Sequence, residues 1–173
     1  MGFLGTILYN IRNMKKASKL KSMSIDDLLA LDDEDLYDAV ECVCEDAVYD
    51  INAPELTETQ IYVYSLTRFE AEVNNGGLCQ FFVNSSSECA PYISTALDAI
   101  GANELKTLFD NFILENNIDV NDLSSFKIDD ISQYEEQTKR FDFDSFDDKF
   151  YENGDIHQQI IDYARKNMEQ IMK

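Results

Sequence analysis

Turn-forming residues are scarce in this chain. Six glycines and two prolines serve 173 residues. That is too few for the many reversals of a β-sandwich or barrel, and the apolar residues recur at helical spacing instead. The pattern predicts an all-α fold, a single compact multi-helix domain of about seven to nine helices. A chain of this length buries roughly 70% of its unfolded surface, and 45% hydrophobic residues is too many for a disordered segment. Tryptophan is absent, so eleven Phe and nine Tyr must supply the aromatic bulk.

Helix boundaries follow from local chemistry. Phe3, Leu4, Ile7, Leu8, Ile11 and Met14 share one helical face, with Arg12, Lys16 and Lys19 on another. Ser24 is placed to cap a short helix over residues 25–31, and Asp32 to cap the next, to about Asn52, with Leu36, Val40, Val43, Cys44, Ala47 and Ile51 inward. Pro54 marks a break, and Thr57 caps a helix from Glu58 to about Asn74. Asn74-Asn75-Gly76-Gly77 reads as a helix stop and turn, with Gly76 in a backbone conformation closed to β-branched residues. Further helices are expected over 88–100, ended by Gly101, over 103–116 and over about 128–140. Phe141, Phe143, Phe146 and Phe150 anchor an irregular or short-helical piece, and Asp155 caps a last helix to about Met172.

Charge sets the function classes. Fourteen Lys and Arg against 34 Asp and Glu give a net charge of −20 and a pI near 4.1, which repels a phosphate backbone and argues against direct nucleic-acid binding. The imbalance is uneven. Residues 1–23 carry Arg12, Lys15, Lys16, Lys19 and Lys21 and no acid, hence +5, leaving −25 on residues 24–173. From Ser24 to Thr67 there are 13 acids and no base. The chain divides on this ground into a basic amphipathic N-terminal helix, 1–23, and an acidic helical domain, 24–173. The basic helix is expected to dock on acidic protein surface, its own or a twin's, rather than on lipid.

The face formed by Glu34, Asp38, Glu41 and Glu45 brings carboxylates every ~5–6 Å along one helix. No lysine relieves the row, although like charges four residues apart cost about 0.2–0.5 kcal/mol each. A second acidic set lies at 129–155, ten acids against three bases. The plain alternative for both is a solvated face.

Catalytic and metal signatures are missing. His157 is the one histidine, too few for a Ser-His-Asp or Cys-His device. Cys42, Cys44, Cys79 and Cys89 form no CxxC and read as reduced thiols near a core, which suits a cytoplasmic compartment. The Asp-rich stretch from Asp142 fails as a calcium loop, with Asp147 at the glycine position and Asn153 at the final glutamate position. There is no phosphate loop or dinucleotide fingerprint. No cofactor and no metal are expected. No apolar run approaches a membrane span.

The densest polar cluster is Glu72, Asn74, Asn75, Gln80, Asn84 and Ser85. Its functional reading is an enzyme site built on Glu72, Asn75, Gln80 and Asn84. Its structural reading, which we favour, is that these groups satisfy backbone where two helices meet.

The string Glu72-Val73-Asn74-Asn75-Gly76-Gly77, then Gln80-Phe81-Phe82-Val83-Asn84, then Ile100-Gly101-Ala102 resembles a family of acidic all-helical domains that includes a bacterial DNA-mimic protein. The likeness covers about residues 35–170 and continues weakly through Phe146-Asp147-Asp148-Lys149-Phe150-Tyr151. It implies a helical domain able to form a homodimer, in which surface carboxylates imitate phosphates and occupy the DNA-binding face of a basic transcription regulator. Glu72, Asn74, Asn75, Gly76, Gly77, Gln80, Phe81, Phe82, Asn84 and Gly101 carry the motif and read as structural. The basic helix 1–23 is not part of that pattern.

A compact chain of this size is ~40 Å across, and duplex DNA of that length carries about 24 charges. The −25 of residues 24–173 is of the same order. The phosphate-mimicking acids are then Glu34, Asp38, Glu41 and Glu45 with Asp129, Asp130, Glu135, Glu136, Asp144, Asp147 and Asp148. The expected partner is a basic DNA-binding protein. The competing readings are the enzyme site above and a membrane-surface protein attached through residues 1–23.

Overall fold

The computed structural model describes residues 14–50, 55–152 and 156–173. It is all-α: among the described residues there is no strand. The apolar face of residues 3–11, Ile51, Pro54 and the cap Asp155 lie outside the described residues. Met14, the described member of the N-terminal apolar face, is 62% exposed.

In chain order the helices are α1 (14–21), α2 (Ile25–Leu29), α3 (Asp33–Tyr49), α4 (Glu58–Val83), α5 (Ala90–Ala99), α6 (Asn103–Glu115), α7 (Tyr134–Thr138), α8 (Phe143–Glu152), α9 (His157–Lys166) and α10 (Met168–Ile171). Tertiary contacts group the chain into two compact units, Met1–Tyr64 with Ile160–Lys173, and Ser65–Gln159. The division drawn from charge, at residue 23, falls inside the first unit.

In the first unit, the caps are those the sequence specifies. Ser24 accepts from the Asp27 amide at 3.1 Å, and Asp32 accepts from Asp35 at 2.9 Å. Thr57 and Gln60 cap each other reciprocally at the start of α4. Leu36, Ala39, Val40, Val43, Cys44 and Ala47 of α3 are buried, as are Ile160, Ile161, Ala164, Met168 and Ile171. Side-chain hydrogen bonds tie the C-terminal helices to the rest of this unit, among them one from the Thr57 hydroxyl to the Gln170 carbonyl at 3.1 Å. Gln60 donates to the Ile171 carbonyl at 2.9 Å. Arg165 donates to the carbonyls of Leu29 (2.8 Å) and Leu31 (3.1 Å) and to Asp33 (2.8 Å), tying up the carbonyls that the short helix α2 leaves open. The expected single last helix is instead two, interrupted at Asn167.

The second unit has an aromatic core. Phe69, Phe81, Phe82, Phe109, Phe126 and Phe146 are all but inaccessible. Phe69 meets the rings of Phe81, Phe109 and Phe150 edge-on at 5.1, 5.8 and 5.9 Å between centroids, an arrangement worth about 0.5–1.5 kcal/mol per pair beyond burial. The piece expected to be irregular or short-helical is the ten-residue helix α8, and Phe143, Phe146 and Phe150 line its inner face at helical spacing. The helix expected over 128–140 is shorter, a 3-10 turn at Ile131–Gln133 leading into α7. Gly101 ends α5 with φ +79°, and the Ala102 amide reaches back to the Leu97 carbonyl at 2.9 Å.

Candidate functional site

At the motif Asn74-Asn75-Gly76-Gly77 the helical stretch that starts at Glu58 stops, as expected, and a second begins at Leu78, so that α4 is two helices joined across a kink. Gly76 has φ −164°, an extended value open to any residue, so the conformational demand expected of Gly76 belongs to its neighbour. Gly77 has φ 78° and ψ 177°, a region that is essentially glycine's alone. Each position also lacks room. A Cβ on Gly77 would overlap the Asp147 carboxylate, and one on Gly76 would overlap the Gln80 amide.

A break in a helix orphans backbone groups, and these must find partners. The Leu78 amide donates to Asp147 Oδ1 at 2.8 Å. The Val73 carbonyl accepts from the Tyr151 hydroxyl at 2.9 Å. The Gly76 carbonyl accepts from the Tyr134 hydroxyl at 3.2 Å. Three side chains from α7 and α8 thus close the gap.

Glu72 organises the rest of the cluster. Its Oε2 accepts from Gln80 Nε2 at 2.7 Å and Asn84 Nδ2 at 2.8 Å, and its Oε1 accepts from Ser86 Oγ at 2.9 Å. Gln80 and Asn84 share a face, as their spacing requires. Asn75 is exposed, and Ser86, missed in the sequence, completes the carboxylate's shell. These hydrogen bonds run from side chain to side chain within the cluster and its neighbour Ser86, rather than to the backbone groups expected from the sequence. Cys79 lies beside Tyr134. Burial pushes its thiol up to about 11, against a lowering hydrogen bond with the Tyr134 hydroxyl, so it is no thiolate near neutral pH. Tyr134 is itself pushed up to about 12, chiefly by burial.

Asp147 does not behave as a surface acid. It is half-buried, it caps Leu78, and burial raises its carboxyl above the usual range against the lowering effect of that hydrogen bond. Its place among the phosphate-mimicking acids is therefore corrected to a structural one. Asp129, Asp130, Glu135, Glu136, Asp144 and Asp148 are exposed. Asp130 caps the turn at Ile131–Gln133, and the hydrogen bonds from Ser132 hold its carboxyl below the usual range. Glu135 pairs with Lys139 at 2.6 Å. Arg140 lies over the rings of Phe126 and Phe141 and donates to the Ser125 carbonyl at 2.6 Å.

On α3, Glu34 and Asp38 are exposed while Glu41 and Glu45 are half-buried. This face is not simply solvated. Lys16 of α1 stands 3.8 Å from Asp38, and Lys21 pairs with Asp46 at 2.6 Å. Cys42 reports the same neighbourhood. Burial raises its thiol, Lys16 lowers it, and Glu45, Asp46 and Glu41 raise it further. Glu34, Glu41 and Glu45 are each engaged in contacts as well. Asp46 was not among the acids singled out from the sequence, although it lies two turns beyond Asp38.

Among the described residues, no three His, Cys, Asp or Glu side chains are grouped to hold a metal ion. His157 is half-buried, with Nδ1 3.6 Å from Glu70 Oε1. All four cysteines are buried thiols outside any disulfide. An open depression of about 280 Å³ in the first unit is lined by Ile25, Leu29 and residues 165–170, where Arg165 is already committed to α2 and Asp33. No helix of the described residues is long and apolar enough to cross a membrane.

Residues 54–167 match the family model described as DMP19-like protein. The matched stretch contains the α4 break and the acids of 129–148, and leaves out α1 and α3. No curated protein and no solved structure matches the chain.

Proposed function

This chain belongs to the DMP19-like protein family, and from that membership we propose that it is a non-catalytic acidic binding protein that imitates DNA toward a basic DNA-binding protein, such as a transcription regulator. The observation that carries the proposal is the family match itself. The net charge of −20 fits it, as does the exposed set Asp129, Asp130, Glu135, Glu136, Asp144 and Asp148. The row on α3 is a second contributor, with Asp46 added to it.

The polar cluster lends no support to an enzyme. Its carboxylate holds three donors of its own chain. Its glycines are explained by the break they form.

One exposed pair of opposite charges is worth about 0–1 kcal/mol. Affinity must therefore come from many pairs and must fall steeply with salt. The test is capture from the native host at low and high salt, followed by a mobility-shift assay. The expected captive is a DNA-binding protein that this chain releases from duplex DNA, and that high salt releases from this chain. Captives whose DNA binding is unchanged by an excess of this protein would remove the mimicry.

A further inference from the structure

α1 is a basic helix seated on the acidic face of α3. Among the described residues its hold includes two ion pairs. Lys16 and Lys21 reach Asp38 and Asp46. Asp38 and Asp46 are two turns apart, about 12 Å along α3. Ala17 and Leu20 are buried, and Lys15, Ser18 and Lys19 stay exposed. The paired lysines keep 49% and 39% of their side chains exposed, so solvent screens both pairs.

The joint to α2 favours independence of α1. Ser22 and Met23 close α1 by bonding back to the carbonyls of Lys19 and Leu20. Ser24 then opens α2 with its own cap. Neither helix needs the other to satisfy its end.

We propose that α1 is a built-in competitor: it occupies the acidic face of α3 as a partner's Lys/Arg-rich helix would, and that face binds such a partner only as α1 gives way. The proposal rests on the mimicry reading for the nature of the partner. It adds a regulatory contact, and it locates that contact in α1 and α3, outside residues 54–167. The fit is argued from charge complementarity: a helix with lysines flanking its buried stripe is what the face already holds.

The experiment measures anisotropy of a labelled, acid-free, Lys-rich amphipathic peptide titrated with the full chain at low salt. Lys16→Gln with Lys21→Gln releases the two pairs. Lys15→Gln with Lys19→Gln removes the same charge from the same helix and serves as the control for net charge. The first variant is expected to bind about three- to tenfold tighter than the parent, and the control less than about twofold tighter, with both gains lost in high salt. Asp38→Asn with Asp46→Asn, added to the first variant, should return its affinity to the parent's value or below. Equal affinities for the two lysine variants would show that α1 does not guard the face, while leaving the mimicry standing. Absence of peptide binding by parent and variants alike would overturn this inference and count against the mimicry too. Should the double variant melt early, Lys16→Gln alone carries the same comparison, since its pair is the longer and more exposed of the two.

Discussion

At the break in α4, carboxylates are held by donors of the break itself. Glu72 gathers three side-chain donors and Asp147 takes the orphaned Leu78 amide. Between α1 and α3, carboxylates turn outward and meet lysines across a partly solvated seam. The residue type is the same, and the physics is not. The first arrangement is short-ranged, directional and insensitive to salt, because hydrogen bonds to fixed donors carry it. The second is long-ranged, tolerant of geometry and screened. A count of −20 adds both kinds together, so net charge alone overstates the surface available to a partner.

The largest effect should come from the break. Gly77→Val places a β-branched residue at φ 78° and pushes its side chain into Asp147. Strain and a disturbed cap together should cost about 3 kcal/mol. For a chain of this size that lowers Tm by about 6–12 °C, read by circular dichroism on heating. Gly76→Ala should cost less, since its obstacle is the end of the Gln80 side chain, which can shift at the cost of its bond to Glu72, rather than a forbidden backbone. Comparable losses at the two positions would mean that side-chain crowding, not backbone conformation, sets the break.

Asp147 separates charge from hydrogen bonding. Asp147→Ala leaves the Leu78 amide without its acceptor and should cost about 1–3 kcal/mol at any pH. Asp147→Asn keeps an acceptor and drops the charge. Because burial raises the folded-state pKa above the ordinary 3.8, ionisation is less favourable in the folded chain than in the unfolded one. This contribution to stability is fully present below 3.8 and is lost as pH rises through the raised value. The parent should therefore lose stability relative to Asp147→Asn over that window, and at neutral pH the variant should match the parent within about 1 kcal/mol. Urea titrations on both sides of the window check this. A parent that gains on the variant as pH rises would mean that the charged cap outweighs its burial.

Arg165 tests whether the first unit has a charge of the inward kind. Its guanidinium spans the Leu29 and Leu31 carbonyls and Asp33. Lysine cannot reproduce that fork. Arg165→Lys should cost about 1–2 kcal/mol, measured by chemical denaturation, and the loss should persist in high salt because two of the three acceptors are uncharged. A loss that vanishes in salt would place Arg165 with the seam rather than with the break.

What could be read from the sequence follows the range of each interaction. Ser24, Asp32, Thr57 and Gly101 act within five residues of themselves, and their caps and stops were legible. The break was legible as a stop where two helices meet, but the groups that close it were not. Its repair depends on Tyr134, Asp147 and Tyr151, which lie 58 to 78 residues away in the chain. For the same reason nothing local told Gly77 from Gly76. Asp147 was misread because it sits in an Asp-rich run that looks uniformly exposed. The run is helical, and Phe143, Phe146 and Phe150 at spacings of three and four turn one edge of it inward. The docking of a basic helix on acidic protein surface was legible from the charge imbalance. Of the acids it meets, Asp38 belonged to the row read from the sequence and Asp46 was overlooked.

The smallest effect should come from the seam. Lys21 and Asp46 form its shortest pair, 2.6 Å, with 39% and 25% of their side chains exposed. Partial exposure weakens the attraction, and holding a lysine in one rotamer costs entropy, so Lys21→Gln should destabilise by about 0–1 kcal/mol. The sign and the salt response matter more than the size. Asp46 stands among Glu41, Glu45 and the Cys42 thiol, so removing Lys21 also leaves carboxylates that repel one another. Salt screens that repulsion. The destabilisation should therefore shrink toward zero between low and high salt, whereas the losses at Gly77 and Asp147→Ala should not move. Parallel thermal melts of the three variants at two salt concentrations draw the line between the two regions. A Lys21→Gln loss that stays constant with salt would place the seam in the same class as the break, held by packing of the lysine stem and one directed hydrogen bond.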